Sequence, residues 1–402
     1  MPERRCVITR AEDGTVRIAG PSAGPPFTRA VLDVAGAVLT WPVLGPTGLP
    51  AAEIHDVGQA QQWLWVVYGE RTAAAVDAVA SGTPAAELTL PEQSTALAES
   101  AARLALGHWA ARWWPTSYLD GIPALEPDVL GLELAALTHE CQQLLDDSGE
   151  LDGTELLEEH LAALGPLIRW RQSAAPPRQL DRVLRLIDDA ADNVGLDGEA
   201  LRRLRSALER DRRPTEAPLD LAELFVRQQE FALAAGSQRS ATGRVIARGS
   251  GTNDWCRYPP GFVDAAEDAV SWTAYALGAG RRIEVEVVAD IAAPVGGVHL
   301  AAEVHVDGGP PNRVPLARRD DMWTGRADLD IAASTTPRIE VGILLPGFDP
   351  GPGADDAAAR EAVRALARHR LSVAAAPHDS EAADPDPFLA EIAAATAVEE
   401  DF

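Results

Sequence analysis

The sequence predicts an α+β multidomain chain: a small mixed α/β N-terminal domain, a helical middle region and an antiparallel β-sandwich C-terminal domain. Three observations predict it. The chain has 402 residues, beyond the roughly 250–300 that one hydrophobic core organises. Its apolar residues recur at helical spacing over 91–236 and then at a period of two. Its composition, 46% hydrophobic and 24% charged, is that of a folded globular protein. The expected division is 1–90 mixed domain, 91–236 helical bundle, 237–353 β-sandwich, 354–374 helix and 375–402 acidic tail.

In the first region, Cys6–Thr9 and Thr15–Ala19 flank Glu12-Asp13-Gly14, a hairpin turn signal. Val31–Trp41 and Gln62–Tyr68 read as further strands because they are rich in β-branched and aromatic residues. In the second of these, Trp63 and Trp65 would share one face. Glu70–Ala80 reads as a short helix ended by Gly82, and Glu87–Leu90 returns to the sheet.

Helical spacing starts after Pro91, a residue suited to a first turn, with Leu97, Ala101 and Leu104. Leu130, Leu134, Leu137, Cys141 and Leu144 make one apolar stripe. Asp152 and Glu155 resemble a capping box ahead of Leu157, Leu161 and Leu164, and Pro166 is expected to interrupt that helix. Leu180, Val183, Ile187 and Val194 form another stripe, as do Leu201, Leu204 and Leu208. Leu221, Leu224 and Phe225 begin a last helix that Gly236 can close.

Strand candidates then follow at 242–248, 269–276, 282–291, 297–306, 312–318, 322–331 and 338–345, separated by Gly, Pro and Asp turns. That number and spacing predict a sandwich with one solvated face per sheet. An arginine-bearing helix over Ala357–Arg370 comes next. The tail from Asp379 carries acidic residues and no basic one, so disorder is expected there. Within it, a short amphipathic segment around Phe388, Leu389 and Ile392 has the pattern of a docking element.

Composition excludes whole classes of chemistry. All 35 basic residues are arginine and the chain has no lysine. Mechanisms that need a lysine of this chain are therefore out: the Walker A loop, protein-kinase ATP binding, pyridoxal Schiff bases and Ser-x-x-Lys acyl enzymes. A net charge of −26 argues against general nucleic-acid binding. Cys6, Cys141 and Cys256 are too dispersed for a disulfide framework or thiolate zinc cluster. No segment has the apolar length of a signal-peptide core or a membrane span, so the expectation is a cytoplasmic protein without a membrane partner.

Several constellations resemble chemical sites. Alternation puts His299, Glu303 and His305 on one strand face, where imidazoles and a carboxylate are legitimate ligands for zinc or iron. The plainer reading is a solvated polar face, and no metal or other cofactor is assigned. Asp188-Asp189-Ala-Ala-Asp192 matches a magnesium-binding aspartate motif, but a second metal motif is missing and a solvent face explains it equally. Ser148–Gly153 with Glu159 has some calcium-loop spacing, yet Ser148 and Glu155 break the pattern and an interhelical turn suffices. Gly249-Ser-Gly251-Thr-Asn-Asp lacks the third glycine and following helix of a phosphate loop. Cys141 and His139 lie two apart on a helix and point in different directions, which favours a buried structural thiol. Arg202, Arg203, Arg205, Arg210, Arg212 and Arg213 form a dense basic segment, fit either for a partner or for acidic residues of the same molecule, such as Glu140–Glu159 or the tail.

Tryptophan and arginine together mark either domain packing or a binding hot spot. On that basis Trp109, Arg112, Trp113 and Trp114 in one segment, and Trp255, Arg257 and Tyr258 in another, are the partner-binding candidates.

Arg112-Trp-Trp-Pro115, Asp254-Trp-Cys-Arg-Tyr-Pro-Pro-Gly-Phe-Val-Asp-Ala-Ala-Glu267 and Pro346-Gly-Phe-Asp-Pro-Gly-Pro-Gly353 resemble segments of uncharacterised actinobacterial accessory proteins. Those proteins are associated with gene clusters of an AAA+ ATPase and a von Willebrand A-domain protein. The resemblance implies an accessory, partner-binding role, with nucleotide chemistry in another subunit, and carries over no catalytic residue. The expectation is a non-enzymatic adaptor, scaffold or regulatory subunit acting through protein–protein contacts. The rival expectation is an enzyme or enzyme subunit of peptide or natural-product modification. Its dispersed site would draw on the Asp254–Glu267 loop and on His299, Glu303 and His305.

Overall fold

The computed structural model describes residues 5–18, 24–45, 48–89, 94–145, 153–173, 176–210, 243–278, 280–290, 293, 299–329, 337–348, 356–376 and 386–400. Strands β1 (Arg5–Arg10) and β2 (Val16–Ile18) form the expected hairpin. The Asp13 carboxylate accepts the Thr15 N–H at 3.0 Å, and Gly14 takes the positive φ of the turn. The stretch Val31–Trp41 is two strands rather than one: β3 (Arg29–Val34) and β4 (Ala37–Pro42) reverse at Ala35-Gly36. Gly36 has φ +74°, and a Cβ there would sit 2.3 Å from the Asp56 carbonyl oxygen, so no side chain fits. With β5 (Ala51–Ile54) and β6 (Ala86–Thr89), the sheet has the order β3-β4-β5-β2-β1-β6 and is antiparallel throughout.

The segment Gln62–Tyr68 corrects a strand expectation. After α1 (Val57–Ala60) and a turn, it forms α2 (Leu64–Tyr68), followed by α3 (Glu70–Ala80). Leu64, Val67 and Tyr68 are buried while Trp65 is 54% exposed, a three-and-four spacing that tertiary packing imposes over local β propensity. Trp63 and Trp65 therefore share no strand face. The Trp63 indole is buried and donates to the Ala35 carbonyl at 2.8 Å, pinning α2 beneath the β3–β4 turn.

In the helical region, α4 (Ala96–Trp113) starts at Thr95, whose hydroxyl accepts the Ala98 N–H at 3.2 Å. Pro91 lies outside the described residues. Helix α5 (Pro127–Glu140) is buried on every side from Val129 to Thr138, so it is the axis of the bundle. Helix α6 (Gly153–His160) passes through a 3₁₀ turn, Leu161–Ala163, into α7 (Leu164–Arg171). Pro166 falls in the first turn of α7, where its missing N–H has no helical acceptor to lose. Helices α8 (Leu180–Asn193) and α9 (Glu199–Glu209) bury the expected stripes, except that Leu208 is half-buried and Val194, just past α8, is 43% exposed. Asp152, the Ser148–Gly153 loop as a unit, Leu221, Leu224, Phe225 and Gly236 lie outside the described residues.

The C-terminal region has two antiparallel sheets. One joins β7 (Arg244–Ser250), β8 (Val270–Leu277), β9 (Gly280–Val288), β12 (Ala317–Arg319) and β13 (Met322–Leu329) in the order β12-β13-β9-β8-β7. The other joins β10 (Ala301–Val306), β11 (Asn312–Pro315) and β14 (Ile339–Leu344) in the order β11-β10-β14. The single strand expected over 312–318 is split at Leu316. That buried residue donates its N–H to the Leu300 carbonyl at 2.8 Å and hands the chain from one sheet to the other. Alternating inward residues fill the sandwich, among them Ile283, Val285, Val287, Trp323, Ala302, Val304, Val341 and Ile343.

The tail departs from the expected disorder. After α10 (Ala357–Ala375), residues Leu389–Glu400 form α11, and Phe388, Leu389 and Ile392 are buried against the bundle. Acidity does not prevent folding there because the inward acid is matched. Glu391, fully buried, accepts both forks of Arg370 at 2.6 and 2.7 Å and the Phe388 N–H at 2.7 Å. The buried apolar residues of sheet, bundle, sandwich and α11 form one connected core. Among the described residues, no helix is long and apolar enough to cross a membrane.

Candidate functional site

Helix α4 delivers His108, Arg112 and Trp113 to the place where bundle and sandwich meet. It ends at Trp114 because Pro115 follows and disfavours helical geometry in the residue before it. Opposite, Asp254 caps a 3₁₀ turn, Trp255–Arg257, by accepting the Cys256 N–H at 3.0 Å. Phe27, fully buried, stands between the two segments: its ring centroid lies 6.2 Å from Trp113 and 5.4 Å edge-on from Trp255. Trp109 donates its indole N–H to the Phe27 carbonyl at 2.7 Å.

The second segment is anchored by a buried polar knot. Asn253 donates to the carbonyls of Asp264 and Ala266 at 2.9 and 2.6 Å, and the Tyr258 hydroxyl donates to the Asn253 side-chain oxygen. Burial pushes the Tyr258 phenol well above its ordinary pKa, which keeps it protonated as that donor. Helix α10 clamps the same segment: buried Arg360 pairs with Glu267, and Arg364 donates to the Ala265 carbonyl at 3.1 Å.

Between these walls lies a cleft of about 440 Å³, lined by Arg112, Trp113, Trp114, Trp255, Tyr258, Pro259 and Pro260 on one side and by α5, Leu156 and His160 on the other. His160 packs against Gly131, where a Cβ would fall 2.0 Å from its ring, and its Nδ1 meets Asp128 at 3.1 Å. Three groups in the lining lack polar partners. Arg112 lies 3.8 Å over the Trp113 ring and 5.7 Å from that of Phe348, with no carboxylate or carbonyl partner among the described residues. The Trp255 indole N–H and the His108 Nε2 are buried without a hydrogen bond. A larger cleft, about 690 Å³, is walled by Arg103, Arg182 and Arg370, but each of these has its carboxylate: Glu133, Glu140 and Glu391.

The fold thus gathers the two predicted aromatic segments into one place. Trp109, Trp114, Trp255 and Tyr258 are buried in the junction, Arg112 and Trp113 are half-buried at the cleft, and Arg257 is drawn off to Glu303 at 2.6 Å. Phe27 and His108 escaped sequence reasoning, since a lone aromatic in a loop and a lone histidine on an alanine-rich helix carry no periodic signal.

The metal-type constellation is not assembled. Among the described residues, no group of three or more His, Cys, Asp or Glu is placed to hold an ion. Glu303 instead accepts from Arg257 and Arg313. Burial alone would raise its pKa, but those hydrogen bonds and charges outweigh it and hold the carboxyl below the ordinary value. His305 Nδ1 meets the Gly309 carbonyl at 3.0 Å and His299 is exposed. Asp188 and Asp192 both pair with Arg205, while Arg202 meets Asp197 and Arg203 meets Glu199. Among the described residues, Arg202, Arg203 and Arg205 are therefore matched by acids of α8, α9 and the turn between them rather than by Glu140–Glu159; Arg212 and Arg213 lie outside the described residues. Burial pushes the Cys141 thiol up to about 12. Burial, then Asp254, pushes Cys256 up to about 11, so neither is a thiolate at neutral pH. No family model matches this chain, nor does any curated protein or solved structure.

Proposed function

We propose that the chain is a non-enzymatic adaptor, a scaffold or regulatory subunit that works through protein–protein contacts. One observation carries the reading. The loop after α4 presents Tyr118 and Leu119, 69% and 47% exposed, at the tip of a tight hairpin. Large apolar side chains held rigidly in water lose little entropy on binding and are favoured anchors. The hairpin is rigid because Asp264, 99% buried at 1% exposure, accepts the Tyr118 and Leu119 N–H groups at 2.7 and 3.3 Å. Asp120 on the same loop meets Arg364 at 3.3 Å.

The pairing of Glu303 and the protonated state of Cys256 support this reading over the enzymatic one. The resemblance to accessory proteins of ATPase clusters makes an ATPase or a von Willebrand A-domain protein the expected partner, with nucleotide chemistry on the partner's side. The test is affinity capture from native extract with the full chain and with a Tyr118→Ser/Leu119→Ser variant. A stoichiometric partner held by the unaltered chain and lost by the variant is the expected result. Failure of the unaltered chain to retain any protein, or equal retention by both, overturns the proposal.

A further inference from the structure

We infer that the cleft between α4, α5 and the Trp255–Tyr258 turn binds a small molecule with a flat apolar body and one carboxylate. The site is separate from the Tyr118–Leu119 tip, and the inference does not depend on the adaptor reading.

The argument begins with charge. In a chain carrying 61 acidic residues against 35 arginines, most arginines withdrawn from water have partners among the described residues, although the buried Arg29 Nε has none. Arg103 takes Glu133, Arg171 takes Asp181, Arg257 takes Glu303, Arg360 takes Glu267 and Arg370 takes Glu391. Arg112 is half-buried too, yet among the described residues it rests on the ring faces of Trp113 and Phe348 and meets no carboxylate. A guanidinium partly stripped of water and stacked on aromatic rings keeps its planar fork of N–H donors free for a carboxylate.

The wall supplies the second observation. Trp255 is 6% exposed, and its indole N–H has no acceptor among the described residues. A buried donor without a partner is costly, and such groups are few in folded proteins. Trp255 and Arg112 line the same cleft, so a carboxylate held by Arg112 offers an acceptor to a donor that a small shift of the indole would uncover. His108 adds an unpartnered Nε2 in the same lining. In its Nε2–H tautomer the neutral ring donates as well.

Shape selects the rest of the ligand. A volume of about 440 Å³ falls in the range of small-molecule sites, which are mostly apolar with a few convergent polar groups. Here Trp113, Trp114 and Pro260 line the cleft and give it apolar surface for an aromatic body. The chemistry recognised is that of an aryl or indolyl acetic acid.

The probes are phenylacetate, indole-3-acetate and 2-naphthylacetate, each beside its neutral amide, titrated into the full chain by calorimetry and ligand-observed NMR. At least one acid is expected to bind more tightly than its amide by about tenfold. Arg112→Gln should erase that preference, and Arg112→Lys, which keeps the charge, should retain part of it. Unchanged circular dichroism certifies the fold of each variant. Absence of binding by all three acids at millimolar concentration, equal binding of acid and amide, or a preference that survives Arg112→Gln overturns the inference.

Discussion

Asp264 accepts the Ser117 hydroxyl at 2.6 Å across 147 residues of sequence, tying the loop after α4 to the edge of the sandwich. The same buried carboxylate takes the N–H groups of Tyr118, Leu119 and Ala266. One side chain thus sets both the exposed tip and the register of the segment that closes the cleft.

Asp264→Ala should therefore destabilise the chain by at least about 2 kcal/mol, because it strands several buried donors at once. Denaturant unfolding measures the loss. Hydrogen exchange should quicken first at Tyr118 and Leu119. A variant as stable as the parent, with the tip still protected, would show that the carboxylate does not hold it.

Much of this architecture is legible in the sequence, and the failures have physical causes. Strand alternation from Ile283 to Val287 and the α5 stripe from Leu130 to Cys141 are periodic signals that packing reinforces. The Leu64–Tyr68 helix is invisible because its residues favour strands and only burial of Leu64, Val67 and Tyr68 under the sheet decides. The α11 segment is half legible: Phe388, Leu389 and Ile392 have the pattern of a docking element, but acidity suggests disorder and nothing local announces that Glu391 will meet Arg370. The cleft is half legible: the tryptophan segments stand out, but their convergence on Phe27 needs the tertiary fold. The ion pairs of Arg205 and Glu303 likewise absorb residues that in one dimension resemble metal ligands.

Glu391→Ala tests the docking of α11. It removes the partner of Arg370, which keeps only 11% of its side-chain surface exposed, and the acceptor of the Phe388 N–H. Breaking one half of a buried pair costs about 3–5 kcal/mol, so the segment from Asp386 should undock before the rest of the chain unfolds. Limited proteolysis reads this directly: cleavage near Phe388 should appear under conditions where the parent chain is resistant. Equal resistance would mean that apolar burial of Phe388 and Leu389 suffices.

Gly131→Ala tests the packing of α5 against α6. A helix interior ordinarily gains from alanine, yet here the new Cβ would lie 2.0 Å from the His160 ring. Overpacking of this kind costs about 1–3 kcal/mol, which reverses the sign expected from propensity. Thermal unfolding should show the variant to be less stable, and the companion change His160→Ala should remove the penalty of the added methyl. A stabilised Gly131→Ala chain would mean that the imidazole swings away freely.

His108 should make stability pH-dependent. Burial, the cause of its shift, lowers its pKa below the ordinary 6.5, so the folded chain holds this ring neutral where the unfolded chain already protonates it. Between the lowered value and 6.5 the unfolded state binds more protons, and stability rises with pH. The contribution is complete above 6.5 and is lost as pH falls towards the folded-state value, by up to about 1.4 kcal/mol per pH unit crossed. Unfolding free energies of the parent and of His108→Gln at about pH 7.5 and about pH 5.5 isolate this ring from other titrating groups. The parent should lose more stability than the variant on acidification. Parallel losses would show that the imidazole takes up its proton in place, by rotating into the cleft and reaching water.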